Sequence, residues 1–156
     1  MTDAATEIRL EAITPENWRA VARLKVAPGQ EGLVATNCCS LAQAAYEPNC
    51  FPRAVCRGDE PVGFVMYDHE PDGRTYYVMR LMTDQERQRQ GVARQALRLA
   101  IAEIRDRVPN ATIRISWKPQ NTVAAALYFA EGFVETGVED GEVVAELRDS
   151  PERGDA

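Results

Sequence analysis

Residues 88–93, Gln-Arg-Gln-Gly-Val-Ala, combine a glycine with small and cationic side chains where the sequence pattern changes. The preceding run, residues 76–82, is aromatic and β-branched and predicts a largely buried strand. Apolar residues then recur at helical spacing over residues 92–108. A glycine at the start of a helix lets free backbone N–H groups point at an anion, which the helix dipole also favours. The junction therefore predicts a site for a phosphate, and above all for a pyrophosphate.

Two better-known phosphate-binding patterns are absent from this sequence. Neither the nucleotide-kinase loop G-x-x-x-x-G-K-[ST] nor the dinucleotide fingerprint G-x-G-x-x-G occurs. A strand–glycine–helix junction alone is also typical of a plain turn. A second segment, residues 121–133 with the sequence Asn-Thr-Val-Ala-Ala-Ala-Leu-Tyr-Phe-Ala-Glu-Gly-Phe, favours the binding site over the turn.

The elements that must position these segments alternate between helix and strand. Near the N-terminus, Thr14 is the expected N-cap of a first helix. Residues 31–46 predict a second helix, broken or reshaped around Asn37, and Pro48 and Pro52 are expected to end it.

Downstream, the pattern predicts a meander of strands, the long helix and a closing strand–helix–hairpin unit. After the long helix, a further helix is predicted over residues 121–131 and ends at Gly132. Asp140-Gly141 is expected to form the last hairpin turn. The predicted strands are residues 7–12, 54–57, 62–67, 76–82, 111–117, 133–138 and 142–147.

The composition is that of an ordinary globular protein of one domain. The chain has 156 residues, of which 45% are hydrophobic and 27% are charged. No apolar run reaches the roughly 18–20 residues of a membrane span. Residues 1–7 lack the basic start and apolar core of a signal peptide. We therefore expect a cytoplasmic protein with loose ends at residues 1–6 and 149–156.

Charge and cysteine content indicate which ligands and metal sites this chain is expected to have. A net charge of −6 argues against a general nucleic-acid binder. Residues 80–107 nevertheless carry seven arginines against four acidic residues, a local excess that suits an anionic ligand. Most of these arginines can equally pair with acids on a solvated helix face. Four cysteines without a C-x-x-C spacing, beside a single histidine, predict reduced thiols and no structural zinc.

The two segments together resemble the Gcn5-related N-acetyltransferase (GNAT) superfamily. Gln88-x-x-Gly91-x-Ala93 is similar to its pyrophosphate loop, Q/R-x-x-G-x-G/A, with alanine in place of the commoner final glycine. Residues 121–133 are similar to its second acetyl-CoA motif. The resemblance implies an α/β (α+β) fold: a mixed, mostly antiparallel sheet of about six to seven strands flanked by about four helices. One such domain is expected over residues 7–148.

The first third of the chain is similar to bacterial polyamine (spermine/spermidine-type) acetyltransferases. Acetyl-CoA is then the expected co-substrate, with no metal, and the acceptor a primary amine, either a polyamine or a diamine. The alternatives are another amine (an amino acid, an aminoglycoside or a peptide N-terminus) or a non-catalytic acyl-CoA-binding regulatory module. Superfamily members are often dimers, so a homodimer is a further expectation. The segments that carry the similarity are residues 25–31, 34–37, 40–44, 46–48, 62–67 and 79–82.

The resemblance also implies which residues bind acetyl-CoA. Backbone N–H groups of residues 89–94 are expected to hold the pyrophosphate, and the strand edge at residues 81–83 to pair with the pantetheine amides. A backbone N–H near Met82 would face the thioester oxygen. The residues expected to bind acetyl-CoA are Leu81, Met82, Thr83, Gln88, Arg89, Gln90, Gly91, Val92, Ala93, Arg94, Asn121 and Ala124.

Tyr128 is the expected general acid, because a phenol with a pKa of about 10 can donate to a thiolate whose conjugate acid has a pKa of about 8–9. The alternative is a core tyrosine with a satisfied hydroxyl. The acceptor amine is expected against the N-terminal helical segment, at Glu31, Asn37 and Tyr46. The candidates for the general base are Glu31, Asp68, Glu70 and Asp84.

Overall fold

The computed structural model describes residues 7–147 and places them in one seven-stranded sheet with four α-helices. The strands are β1 (Ile8–Ala12), β2 (Cys50–Arg57), β3 (Glu60–His69), β4 (Thr75–Thr83), β5 (Thr112–Trp117), β6 (Phe133–Glu139) and β7 (Glu142–Leu147). The helices are α1 (Trp18–Arg23), α2 (Asn37–Tyr46), α3 (Val92–Arg107) and α4 (Thr122–Ala130). The expected loose ends, and the last residue of the expected domain, lie outside the described residues.

The strands follow the order β1-β2-β3-β4-β5-β7-β6 across the sheet. Every neighbouring pair is antiparallel except β4 and β5, which are parallel. The β6–β7 hairpin turns at Asp140 and Gly141, whose φ angles of 51° and 80° are those of a tight turn that matches the strand twist. The expected mixed, mostly antiparallel sheet is confirmed.

The two parallel strands separate after a short stretch of pairing. Thr75 to Val78 pair with Thr112 to Ile115, and the ladder between β4 and β5 ends there. Beyond this point the last residues of β5 pair only with β7. A bulge at Met79 interrupts the pairing of β4 with β3 at the same level. The sheet therefore opens a cleft between its two central strands.

Each face of the sheet carries its own core. On one face α3 and α4 pack through an apolar stripe that includes Leu97, Ile104 and Tyr128. On the other face α1 and α2 cover a smaller cluster around Phe64 and Met66. Buried positions on both faces explain why β3 reads as a continuous apolar run rather than an alternating one.

The N-terminal helices are shorter than the sequence pattern predicts. Helix α1 begins at Trp18, although the Thr14 hydroxyl accepts hydrogen bonds from two following backbone N–H groups as an N-cap would. The predicted helix over residues 31–46 is wrong in its first half: α2 begins at Asn37, behind the cap Thr36. Pro52 lies inside β2 rather than ending a helix.

Candidate active site

The loop before α3 has the backbone shape of an anion site. Arg89 and Gly91 both have left-handed φ angles, 65° and 78°, which turn successive N–H groups towards one side. Gly91 is the N-cap of α3 and supplies no side chain to cap the first turn. The N–H groups at the start of α3 therefore remain available, as a helix start leaves them.

A groove with a volume of about 560 Å³ runs from this loop along the edge of β4 to α4. It brings together most of the residues that the sequence predicts for acetyl-CoA, from β4, the loop and α4. Gln90 lies apart, because its side-chain oxygen accepts a hydrogen bond from Arg57 on β2 at 2.7 Å. The predicted residues on the groove are Leu81, Met82, Thr83, Gln88, Arg89, Gly91, Val92, Ala93, Arg94, Asn121 and Ala124.

The side-chain amide of Gln88 links the segments that line this groove. Its Nε2 donates to the Thr83 carbonyl at 3.3 Å and to Gln30 Oε1 at 2.9 Å. The same Gln30 oxygen accepts from the Ala27 N–H at 3.1 Å. One amide chain thus joins β4, the anion loop and the segment between α1 and α2.

Tyr128 stands where α4 meets the cleft. Its side chain is 7% exposed and packs against Trp117 and Phe133, with ring centroids 5.4 and 6.1 Å away. The hydroxyl makes no hydrogen bond within the described part of the chain. Burial raises the pKa of Tyr128 to about 12, so the hydroxyl keeps its proton at neutral pH. Because Tyr128 lines the groove, this donor is available to a bound ligand.

Asn121 opens α4 as its N-cap, and its side-chain oxygen accepts from the Ala124 N–H at 3.2 Å. The residue also lines the groove. Asn121 therefore caps α4 and lines the groove at the same time.

A second cavity of about 630 Å³ opens on the α1–α2 face of the cleft. It shares a wall with the groove, formed by Leu33, Val34, Leu81, Asn121 and Tyr128. Apart from Asn121 and Tyr128 in this wall, its polar lining consists of Asp68, Tyr77, Arg80, Ser116, Lys118 and Glu142, contributed mainly by strands and strand ends. A molecule in this cavity would meet a molecule in the groove at Tyr128.

The three residues predicted to bind the amine do not line this cavity. Asn37 is 4% exposed and donates to the Val21 carbonyl at 2.9 Å, so it ties α2 to α1. Glu31 accepts from the Gly29 N–H at 2.8 Å, and Tyr46 is 87% exposed. Their amine-binding roles stay predictions, with no contact to the cavity in their support.

Among the candidate bases, Asp68 alone lines the cavity. The Asp84 carboxylate accepts from the N–H groups of Lys25 and Glu86, which commits it to local structure. The sequence patterns did not single out Tyr77, Ser116 or Glu142, which also line the cavity. No motif marks them, because three different strands bring them together.

The amino-acid sequence matches the acetyltransferase (GNAT) family over residues 15–133. The chain belongs to this family. A comparison with curated protein sequences finds no match. Family membership makes the chain an acetyl-CoA-dependent N-acetyltransferase and accounts for the loop, the groove and the split sheet together.

Solved acetyltransferase structures share the whole fold at low sequence identity. An acetyltransferase from Thermus thermophilus is 18% identical, with a TM-score of 0.76, over 92% of this chain and 98% of its own. The PaiA N-acetyltransferase from Thermoplasma acidophilum, in complex with coenzyme A, is 13% identical with a TM-score of 0.72, over 92% and 100%. A spermidine N-acetyltransferase SpeG chimera from Vibrio cholerae and hSSAT is 18% identical with a TM-score of 0.71, over 91% and 95%.

The donor of this acetyltransferase is acetyl-CoA, and the groove residues suit it. Free N–H groups and the side chains of Arg89 and Arg94 offer donors and positive charge for phosphates. Beyond Val78, β4 still pairs with β3, but its edge towards β5 is unpaired and offers backbone groups for an amide-rich arm. Within residues 7–147, no cluster of His, Cys, Asp or Glu could hold a metal ion. No helix in that range is long and apolar enough to cross a membrane.

Proposed function

We propose that this acetyltransferase moves the acetyl group of acetyl-CoA to a primary amine, a polyamine or diamine, by direct attack in a ternary complex. The observation that carries this is the common wall of the two cavities. The donor groove and the second cavity meet at Tyr128, across the gap between β4 and β5. Two substrates can therefore contact each other without a covalent enzyme intermediate.

The residues of the donor groove hold acetyl-CoA in position for the transfer. The N–H groups of residues 89–94 bind the pyrophosphate, and the β4 edge at Leu81, Met82 and Thr83 pairs with the pantetheine arm. A backbone N–H near Met82 stabilises the negative charge that develops on the acetyl oxygen. Asn121 and Ala124 border the arm from α4.

Tyr128 supplies the proton for the leaving group. After the ammonium has lost a proton to solvent, the neutral amine nitrogen bonds to the acetyl carbon while the carbon–sulfur bond breaks. The Tyr128 hydroxyl donates its proton to the departing thiolate, and the second proton that the nitrogen loses returns to the Tyr128 oxygen through solvent. A pKa of about 12 makes this phenol a weaker acid than a free tyrosine. Desolvation beside this phenol also disfavours the charged thiolate, so the proton transfer remains possible.

Two similarities favour a polyamine as the acceptor. The N-terminal third is similar to polyamine acetyltransferases, and a structural neighbour is named as a spermidine N-acetyltransferase. Other amines remain the alternative within the family, because one fold serves many acceptors. The cytoplasmic location and the homodimer also stay predictions.

A thiol-release assay with acetyl-CoA and a panel of amines tests the proposal. We expect spermidine and 1,4-diaminobutane to release coenzyme A faster than amino acids, an aminoglycoside or a peptide with a free N-terminus. Faster release with one of the other amines would show that the proposed acceptor is wrong and identify that amine class instead. Tight coenzyme A binding without release for any amine would instead favour the regulatory module.

A further inference from the structure

Two carboxylates face the acceptor cavity from opposite sides. Asp68 lies near the end of β3 and Glu142 at the start of β7, so that β4 and β5 separate them in the sheet. Neither forms an ion pair with another described residue. The Glu142 carboxylate accepts one hydrogen bond, from the Ser116 hydroxyl at 2.9 Å, and no other described residue donates to Asp68. Half-buried carboxylates of this kind favour a cation from solution.

The cations of the same cavity do not neutralise these carboxylates. The Arg80 guanidinium donates to two side-chain oxygens and one backbone carbonyl. The Lys118 ammonium donates to the Gly32 carbonyl. Both are therefore held by neutral acceptors, away from Asp68 and Glu142. A ligand with its own carboxylate would have to displace these bonds.

The surroundings of each carboxylate strengthen the attraction for a cation. Burial, together with the negative charges of Glu47 and Glu70, holds the pKa of Asp68 above its ordinary value, and His69 opposes this shift. Glu142 lies near Tyr77, whose pKa is raised by its burial and also by the charge of Glu142. Negative charge therefore stands on both sides of the cavity.

The unpartnered Tyr128 hydroxyl independently marks this cavity as a ligand site. Its side chain is more than nine-tenths buried, and it lines both the cavity and the donor groove. An acceptor nitrogen must reach this neighbourhood to attack a donor in the groove. The remainder of the acceptor then extends along the cavity between the two carboxylates.

We propose that Asp68 and Glu142 bind the two ammonium ends of a diamine or longer polyamine. The proposal rests on the proposed acetyl transfer, and it assigns the acceptor's recognition to residues that no motif identifies. One carboxylate anchors the end that reacts, and the other binds the distal end. An amine with one charged end can satisfy only one of them.

The test compares 1,4-diaminobutane with 1-aminobutane, which has the same carbon chain and one amino group. We expect the wild-type kcat/KM to favour the diamine by about tenfold or more, the usual effect of a hydrogen bond to a charged group. Of Asp68→Asn and Glu142→Gln, the variant that lacks the distal carboxylate should remove most of this preference. The carboxylate at the reacting end should also matter for 1-aminobutane, and the distal one should not.

Glu135→Gln is the matched control, because it removes one negative charge from an exposed position of β6 outside the cavity. It should leave the preference unchanged. Unaltered preference in both cavity variants would overturn the proposal. So would faster acetylation of 4-aminobutanoate than of 1,4-diaminobutane, since that acceptor has an anionic end.

A binding measurement separates this proposal from the proposed function. If no amine is acetylated, the proposed function fails. Calorimetric titration of spermidine into the coenzyme A-bound protein then tests whether Asp68 and Glu142 bind the amine. Binding that Asp68→Asn and Glu142→Gln each weaken about tenfold or more supports it, and the absence of binding overturns it.

Discussion

Tyr128 combines a buried side chain with a hydroxyl that nothing in the described chain satisfies. The residue lines both cavities, where water or a ligand can bond to the hydroxyl. Its neighbours are aromatic rings rather than charges, and burial alone raises its pKa. The residue is therefore arranged to hold a proton and to give it to a partner that arrives with the substrates.

Tyr128→Phe should lower kcat by about 10²-fold or more, because it removes the proton donor and preserves the ring packing. Steady-state kinetics and coenzyme A binding measure the two effects, and the affinity should change little. Tyr76→Phe removes another buried tyrosine hydroxyl outside both cavities and serves as the control. An unchanged kcat in Tyr128→Phe would remove the residue from the mechanism.

Gly91→Val should weaken acetyl-CoA binding by about tenfold or more while the protein still folds. Space does not limit this position, because an added Cβ would meet only the end of the Gln95 side chain, at 3.7 Å. The limit is the backbone conformation, because Gly91 has a φ angle of 78°. A β-branched residue avoids this left-handed region and would turn the N–H groups away from the phosphate. Calorimetric titration with coenzyme A measures the change.

Gly137→Val is the control for this substitution. Gly137 lies in β6, where an added Cβ meets nothing within 4 Å and the φ angle is not left-handed. Equal coenzyme A affinity in Gly91→Val and Gly137→Val would mean that the pyrophosphate binds elsewhere.

At the scale of elements, the position of β4 depends on a close approach by β3. Gly63 pairs with Thr83, and an added Cβ would lie 2.6 Å from the Met82 carbonyl oxygen. Backbone atoms cannot tolerate that distance, so a side chain here must push the end of β4 out of place. This end is the edge proposed to bind the pantetheine arm.

Gly63→Ala should therefore raise the KM for acetyl-CoA several-fold and lower the melting temperature. Kinetics and thermal unfolding measure the two changes, and Gly137→Ala provides a strand glycine without the close contact. A normal KM for acetyl-CoA in a destabilised Gly63→Ala protein would show that the β4 edge does not position the donor.

Most of the residues that local patterns predicted for the donor line one groove, and the reason is physical. The loop at residues 88–94 and the cap at Asn121 depend on neighbours a few positions away, so residue types and spacing indicate their geometry. The segment before α2 was predicted wrongly as helix. Gly29, with a φ angle of 91°, and Gly32 lie in this stretch, where the chain instead makes turns and tethers itself to Gln88 and Lys118.

The acceptor side depends on long-range register, which a single sequence does not display. Asp68, Tyr77, Ser116 and Glu142 belong to four strands that are brought together by a parallel pair and a hairpin. A bulge at Met79 decides where the cleft begins. Residues in the first third, such as Tyr46, were expected at the amine from family resemblance, and the described structure leaves Tyr46 on the surface.

At the scale of the whole molecule, the sheet consists of two parts that meet over a short ladder. The strands β1 to β4 form one part and β5 to β7 the other, and only Thr75–Val78 pair across the junction. The donor groove draws its walls from both parts, with the loop and β4 on one side and α4 on the other. A bound donor must therefore connect them.

Acetyl-CoA or coenzyme A should consequently stabilise the folded protein. Ligand at 100 times its dissociation constant adds about 2.7 kcal/mol to the free energy of unfolding. For a domain of this size, that stabilisation raises the melting temperature by roughly 5–10 °C. Thermal unfolding with increasing coenzyme A measures the shift, and Gly91→Val should lose it where Gly137→Val keeps it. A wild-type melting temperature independent of coenzyme A would contradict a donor site that spans both parts of the sheet.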